Sequence, residues 1–293
     1  ENMLIYYSLN GTIICIMKIM KIMKKFIVPL LKISALVLIF AVSIAVYAFF
    51  VEPQLLTVKH YTIENKALAG TRLVFASDFH IKKNQQNRLK SIVNLINSSY
   101  PDIIVLGGDF VNGYDREDNI QPAEMTKELS KLRAPYGVYA VVGNHDRWYG
   151  VERVKSVLKN SGIMLLLNEN KQIKLQSKKF FLAGADDPLT GEPDIKRALK
   201  NSKKPVVFVT HSPDIFPQIP SGVDLVLAGH THGGQVVVPF IGPVVVPSEY
   251  GSSYAFGKIE SNGKVMIVTK GLGTSVLHVR FNCLPEIVVV DFV

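Results

Sequence analysis

Five of the chain's seven histidines fall in short polar clusters that directly follow apolar runs: SDFH at 77–80, GNHD at 143–146, THSPD at 210–214 and GHTHGG at 229–234. A fifth cluster, GGDF at 107–110, adds a carboxylate, and only His60 and His278 lie outside these places. Asp78, His80, Asp109, Asn144, His145, His211, His230 and His232 are therefore the candidate site residues. Imidazoles suit Zn, Mn, Fe or Ni, while carboxylates and an amide oxygen are harder donors. No thiolate is offered, because Cys15 and Cys283 lie at opposite ends of the chain. The donor set points to two cations, and two metals about 3.5–4 Å apart clamp a phosphoryl oxygen and lower the pKa of a bound water. Phosphoester hydrolysis is the natural use of such a pair.

Taken singly, each cluster has a plainer explanation. An aspartate after a strand commonly caps a helix, and His230 and His232 could be polar residues on a glycine turn. The weight lies in the five occurring together, each where a strand stops.

The elements that must position these residues are legible as continuous apolar runs, the mark of strands buried on both faces. They are 71–77, 102–107, 137–142, 178–184, 205–210 and 223–228. Between them, Leu89, Ile92, Val93 and Ile96, then Met125, Leu129 and Leu132, then Val151, Val154, Val157 and Leu158 recur at the spacing of amphipathic helices. Alternating strands and helices make an α/β domain, and in open α/β sheets the carboxyl ends of strands converge on one crevice. From Gln235 onward the pieces are strand-like and separated by Gly and Pro, so sheet extends there without long helices.

The series DxH, GD, GNHD, H and GHTH resembles the calcineurin-like metallophosphoesterase superfamily over nearly all of 70–293. The trailing GGQ, PFIGP and RFNCLPEI are similar, more narrowly, to its membrane-associated branch of YkuE-type and YaeI-type phosphodiesterases. The resemblance implies a four-layer α-β-β-α sandwich of two mixed sheets flanked by helices. It implies two divalent ions, Mn2+, Fe2+ or Zn2+, with Asp78, His80 and His232 on one, Asn144, His211 and His230 on the other, and Asp109 bridging. His145 stays unligated beside the scissile phosphate as the catalytic residue, with Asp146 orienting its loop. The superfamily's protein phosphatases continue GD with an acid and an arginine, whereas GDFVNG places Asn112 and Gly113 there. Without that arginine to clamp a dianionic monoester, a diester or pyrophosphate is the expected substrate. Relatives that cleave UDP-2,3-diacylglucosamine make a lipid-linked phosphoester, and a part in lipid A synthesis, an expectation.

Trp148, Asp187 and Arg280 are further candidates for substrate contact, each with a packing, turn or surface role as its alternative. The uncharged VVVPFIGPVVVP at 236–247 is expected to pack as plain sheet, with a loop gripping acyl chains or dipping into a bilayer as the alternative.

Residues 33–51 are 19 consecutive uncharged residues, and about 20 apolar residues span a bilayer. The organisation expected is a basic leader at 1–32, a transmembrane anchor at 33–51, a linker at 52–68 and the enzyme domain at 69–293. Lys18, Lys21, Lys24, Lys25 and Lys32 precede the span while Lys59 and Lys66 follow it. The positive-inside rule then puts the N-terminus in the cytoplasm and the domain outside, in a single-pass protein of the cell membrane. A cleaved signal peptide is the rival reading. Of the net charge of +9, +4 belongs to residues 1–51. The remainder is too dilute for a nucleic-acid surface, and neither a nucleic-acid nor an obligate protein partner is expected. Two other functions stay open on residues alone: a metal amidohydrolase, which normally places HxH first, and a non-catalytic membrane-tethered metal-binding module.

Overall fold

The computed structural model describes residues 2–115 and 117–293. They form two compact units, 1–48 and 49–293. The first is helical: α1 (Asn2–Ile22) and α2 (Val28–Val46) are joined by a π-helical turn at Met23–Ile27. Apolar side chains of α2 such as Leu36, Val37, Leu38 and Phe40 are exposed on every side. From Thr12 to Gln54 the segment is long and apolar enough to cross a membrane.

The second unit begins with β1 (Thr57–Ile63) and β2 (Arg72–Ala76), then α3 (Gln86–Ser98), β3 (Ile103–Leu106), α4 (Pro122–Leu129), β4 (Val138–Ala140), α5 (Asn144–Asn160) and β5 (Met164–Leu165). It continues through β6 (Glu169–Lys174), β7 (Lys179–Gly184), the one-turn α6 (Ile195–Ala198), β8 (Val206–Val209) and β9 (Leu225–Ala228). Two short strands, β10 (Val237–Val238) and β11 (Gly242–Pro243), precede β12 (Gly257–Ser261), β13 (Lys264–Val268) and β14 (Glu286–Phe292).

Two six-stranded mixed sheets result, ordered β1-β14-β2-β3-β4-β5 and β12-β13-β9-β8-β7-β6. Side-chain alternation explains the unbroken apolar runs. Leu73 and Phe75 of β2 meet Val207, Val209, Leu225 and Leu227 of the second sheet in a core between the sheets. Val74 and Ala76 point the other way, against Leu89, Ile92 and Val93 of α3 and Leu129 of α4. Val206, Phe208 and Val226 face a third core with Ala198 of α6 and with Ile215 and Phe216 of a 3-10 turn. The four-layer sandwich of two mixed sheets between helices is thus present, its second helical layer reduced to short turns.

Three details depart from the sequence reading. Residues 52–68, expected as a linker, contain β1, which pairs in parallel with β14 from Thr57↔Glu286 to Ile63↔Phe292. The last third serves both sheets, since β12 and β13 extend the second while β14 enters the first between β1 and β2. The 236–247 segment is no part of either sheet: β10 and β11 form a separate hairpin with Phe240, Ile241, Val244 and Val245 exposed.

Candidate metal centre

β2, β3 and β4 run parallel in one sheet, and β7, β8 and β9 in the other, so polar residues follow several strands at the same edge of the sandwich. Asp78, His80, Asp109, His230 and His232 each have positive φ, between 44° and 71°. Asp and His are among the residues that tolerate this region best. Strain of this kind gathers where a fold must aim side chains. Gly229 belongs to the same device, since a Cβ there would sit 2.2 Å from Ser77 Oγ and 2.6 Å from Asp78 Oδ2.

The donors form three buried or nearly buried groups, each with its ligand atoms within 4.8 Å of one another: Asp78, His80 and His232; His80, Asp109 and His145; Asp109, His211 and His230. Asp109 Oδ2 stands 3.5 Å from His80 Nε2 and 3.2 Å from His211 Nε2. Asn144 Oδ1 is 3.1 Å from His211 Nε2, and Asp78 Oδ1 is 3.7 Å from His232 Nε2. His80 and His232 confront each other Nε2 to Nε2 at 3.0 Å. Their Nδ1 atoms are buried without a hydrogen-bond partner among the described residues. Lone pairs crowded together away from water are what a cation relieves.

Outer contacts hold this arrangement. His211 Nδ1–H donates to the Gly107 carbonyl at 2.8 Å, which turns Nε2 toward Asp109. The Asp146 carboxylate accepts from the amides of Asp109, Phe110 and Gly143 at 2.8, 2.8 and 3.0 Å, tying the second and third clusters together. Asp78 accepts from the His230 amide at 2.9 Å.

Burial sets the charge states. It pushes the carboxyls of Asp78 and Asp146 up to about 7. It holds the imidazoles of His80 and His230 down to about 3, and that of His232 well below the ordinary value. Burial opposes charge on Asp109 and His211 too, but their mutual attraction outweighs it, lowering the first and raising the second. The imidazoles of His80, His230 and His232, held neutral near the ionised Asp109, make a site that gains from bound positive charge. The residues present fit a pair of divalent ions.

The calcineurin-like phosphoesterase family model matches residues 71–234. The chain is 32% identical over 253 residues to the metallophosphoesterase YkuE of Bacillus subtilis (strain 168), covering 83% of this chain and 87% of that one. It is 31% identical over 266 residues to a metallophosphoesterase of Aquifex aeolicus (strain VF5), covering 85% and 96%. To the phosphodiesterase YaeI of Escherichia coli (strain K12) it is 32% identical over 232 residues, covering 77% and 83%.

The chain belongs to the calcineurin-like phosphoesterase family. It is a metal-dependent phosphoester hydrolase, and the family's dinuclear divalent centre agrees with the Asp and His clusters. The amidohydrolase alternative falls away. The matched span ends at Gly234, so the family model covers all five motifs.

His145 is buried, with its Nδ1–H donating to the Asn112 carbonyl and its Nε2 3.3 Å from Ser275 Oγ. The NG of GDFVNG thus serves His145 directly: a Cβ on Gly113 would lie 2.5 Å from the His145 carbonyl oxygen. Trp148 lines the cavity, its ring centroid 4.6 Å from that of His145 and 5.3 Å from that of Tyr114, whereas neighbouring Tyr149 is core. The cavity, about 860 Å3, is lined by Asp109, Asn144, His145, His230 and His232. Val244, Val245, Val276, Leu277 and Leu189, all exposed, line the same cavity.

Two expected substrate contacts are corrected. Arg280 is fully buried and spends its guanidinium on the carbonyls of Lys270, Gly273 and Cys283, so no phosphate reaches it. Asp187 is also buried, and its Oδ2 caps a turn by accepting from the amides of Leu189 and Thr190 and the Thr190 hydroxyl. Tyr114, Ser275 and Gln235 were missed. Only Gln235 had a signal, as the end of GGQ; Ser275 comes to His145 from 130 positions away.

Proposed function

We propose that this protein is a membrane-anchored phosphodiesterase or pyrophosphatase that acts on lipid-linked or envelope phosphoesters, UDP-2,3-diacylglucosamine being one such compound. Asp78, His80 and His232 would hold one cation, Asn144, His211 and His230 the other, and Asp109 would serve both. The observation that carries this is the placing of Asp109 Oδ2 between the Nε2 atoms of His80 and His211. Two bound divalent ions supply charge to the phosphoryl oxygens and an activated water. His145, fixed through Nδ1 by Asn112, presents Nε2 to the oxygen that leaves. The apolar wall of Val244, Val245, Val276 and Leu277 supports a substrate with a hydrocarbon part next to its phosphate. The enzyme domain, which takes in β1 from Thr57, follows an anchor at 33–51, and the lysines before the anchor support an N-terminus in the cytoplasm.

The full-length protein in detergent with Mn2+ should hydrolyse bis(p-nitrophenyl) phosphate, and chelation or Asp109→Asn should abolish the activity. Hydrolysis that survives both sinks the reading, and metal binding without hydrolysis would favour the tethered binding module. A UDP-sugar is made in the cytoplasm, so a domain outside the membrane would not meet it without export. A C-terminal reporter that fluoresces only in the cytoplasm tests the side, and bright cells overturn the topology.

A further inference from the structure

Loop 274–279 is bent in a way its sequence resists. Val276 has φ 62°, and a β-branched residue in the left-handed region is a true outlier. Gln235, three positions after His232, also has positive φ, 55°. The two are joined: Gln235 Oε1 accepts from the Ser275 amide at 2.7 Å, and its Nε2 donates to the carbonyls of Ser275 and Leu277 at 3.1 and 3.3 Å. One side-chain amide thus serves as the pairing partner of a short backbone segment. What the clamp displays is the Ser275 hydroxyl, whose Oγ stands 3.3 Å from His145 Nε2 and accepts from it when that nitrogen carries a proton. The other ring nitrogen of His145 is already committed to Asn112. Strain held at a site is a pointer to function.

We infer that Ser275 is a positioning residue for His145 and that Gln235 sets the place of Ser275, so the loop carrying His230 and His232 also aligns the imidazole. This rests on the reading of His145 as the group beside the leaving oxygen. In that reaction the oxygen of water forms a bond to phosphorus and the bond from phosphorus to the leaving oxygen breaks. The leaving oxygen takes the His145 Nε2 proton, and the proton released by water restores the histidine. Ser275 holds the ring in the plane that this transfer requires, and the transfer matters most when the leaving group is basic.

The test uses full-length protein in detergent with Mn2+ and two substrates, methyl phenyl phosphate and methyl p-nitrophenyl phosphate. Ser275→Ala should lower kcat about tenfold with the more basic phenolate and about twofold with p-nitrophenolate, with KM little changed. Ser275→Thr should recover most of the loss, and Gln235→Ala should reproduce the Ser275→Ala pattern. In a His145→Ala background Ser275→Ala should add nothing, as expected for two residues that act as one unit. Equal losses on both substrates, an effect on KM alone, or a full extra loss in the His145→Ala background overturns the assignment. Hydrolysis weakened by His145→Ala but untouched by Ser275→Ala removes this inference alone. A wild type that hydrolyses neither diester removes the phosphodiesterase reading and this inference with it.

Discussion

Gly143→Ala adds one methyl group at the most crowded point of the site. Gly143 has φ −110° and ψ −176°, an extended conformation that alanine adopts freely, so any penalty is steric. The new Cβ would lie 2.2 Å from Asp109 Oδ1 and 2.7 Å from Nδ1 and Cε1 of His211, where ordinary contact begins at 3.4 Å. Oδ1 must therefore retreat by about 1.2 Å. It cannot do so alone, because it accepts from the His145 amide at 2.9 Å and its partner oxygen faces His80 and His211. Overpacking a close-packed site costs roughly 1–3 kcal/mol. In a domain of this size that lowers Tm by about 3–9 °C. Displacement of a reacting group by about 1 Å costs on the order of 100-fold in rate. Thermal unfolding and Mn2+-dependent hydrolysis of bis(p-nitrophenyl) phosphate measure the two effects, with Gly222→Ala as control because nothing lies within 4 Å of its Cβ. Gly143→Ala with wild-type kcat and Tm would refute the packing argument.

Mn2+ at about 100 times its Kd should stabilise the wild type by about 2.7 kcal/mol, read as a rise in Tm that Asp109→Asn largely removes; equal rises in both would place the ion elsewhere. Phe240→Ser combined with Ile241→Ser should leave Tm unchanged, since both side chains are exposed, yet lower kcat/KM for a diester bearing a long acyl chain several-fold more than for bis(p-nitrophenyl) phosphate. Equal effects on the two substrates would show that the hairpin has no part in apolar recognition. Arg280→Met should destabilise by about 1–3 kcal/mol for each buried carbonyl left without a donor, instead of raising KM; a stable variant with raised KM would return Arg280 to the substrate.

Much of the fold was legible because burial on both faces leaves a plain trace. Strands such as Ile103–Leu106 and Leu225–Ala228 have no exposed face, so their apolar runs are unbroken. The site was legible because donor residues sit where strands stop, and parallel strands stop at the same edge. What stayed hidden depends on pairings across long separations. TVKHYTI of β1 is mostly exposed or half-buried and reads as a connector until β14 lies beside it. Arg280 resembles a phosphate ligand in sequence, since nothing local shows that three carbonyls will surround it. Val276 gives no local sign of the left-handed turn that the Gln235 amide imposes.

The place of β14 between β1 and β2 bears on the order of assembly during synthesis. His232 leaves the ribosome 54 residues before Glu286, so every metal-binding candidate is in hand while the first sheet still has a gap inside it. β1 waits longest, because its partner begins 229 positions downstream at Glu286. Closing so distant a pair is slow by its nature. A stop codon anywhere before residue 286 would leave β1 and β2 with facing edges and no strand to join them. The nascent chain is thus exposed as an unfinished sheet until β14 arrives.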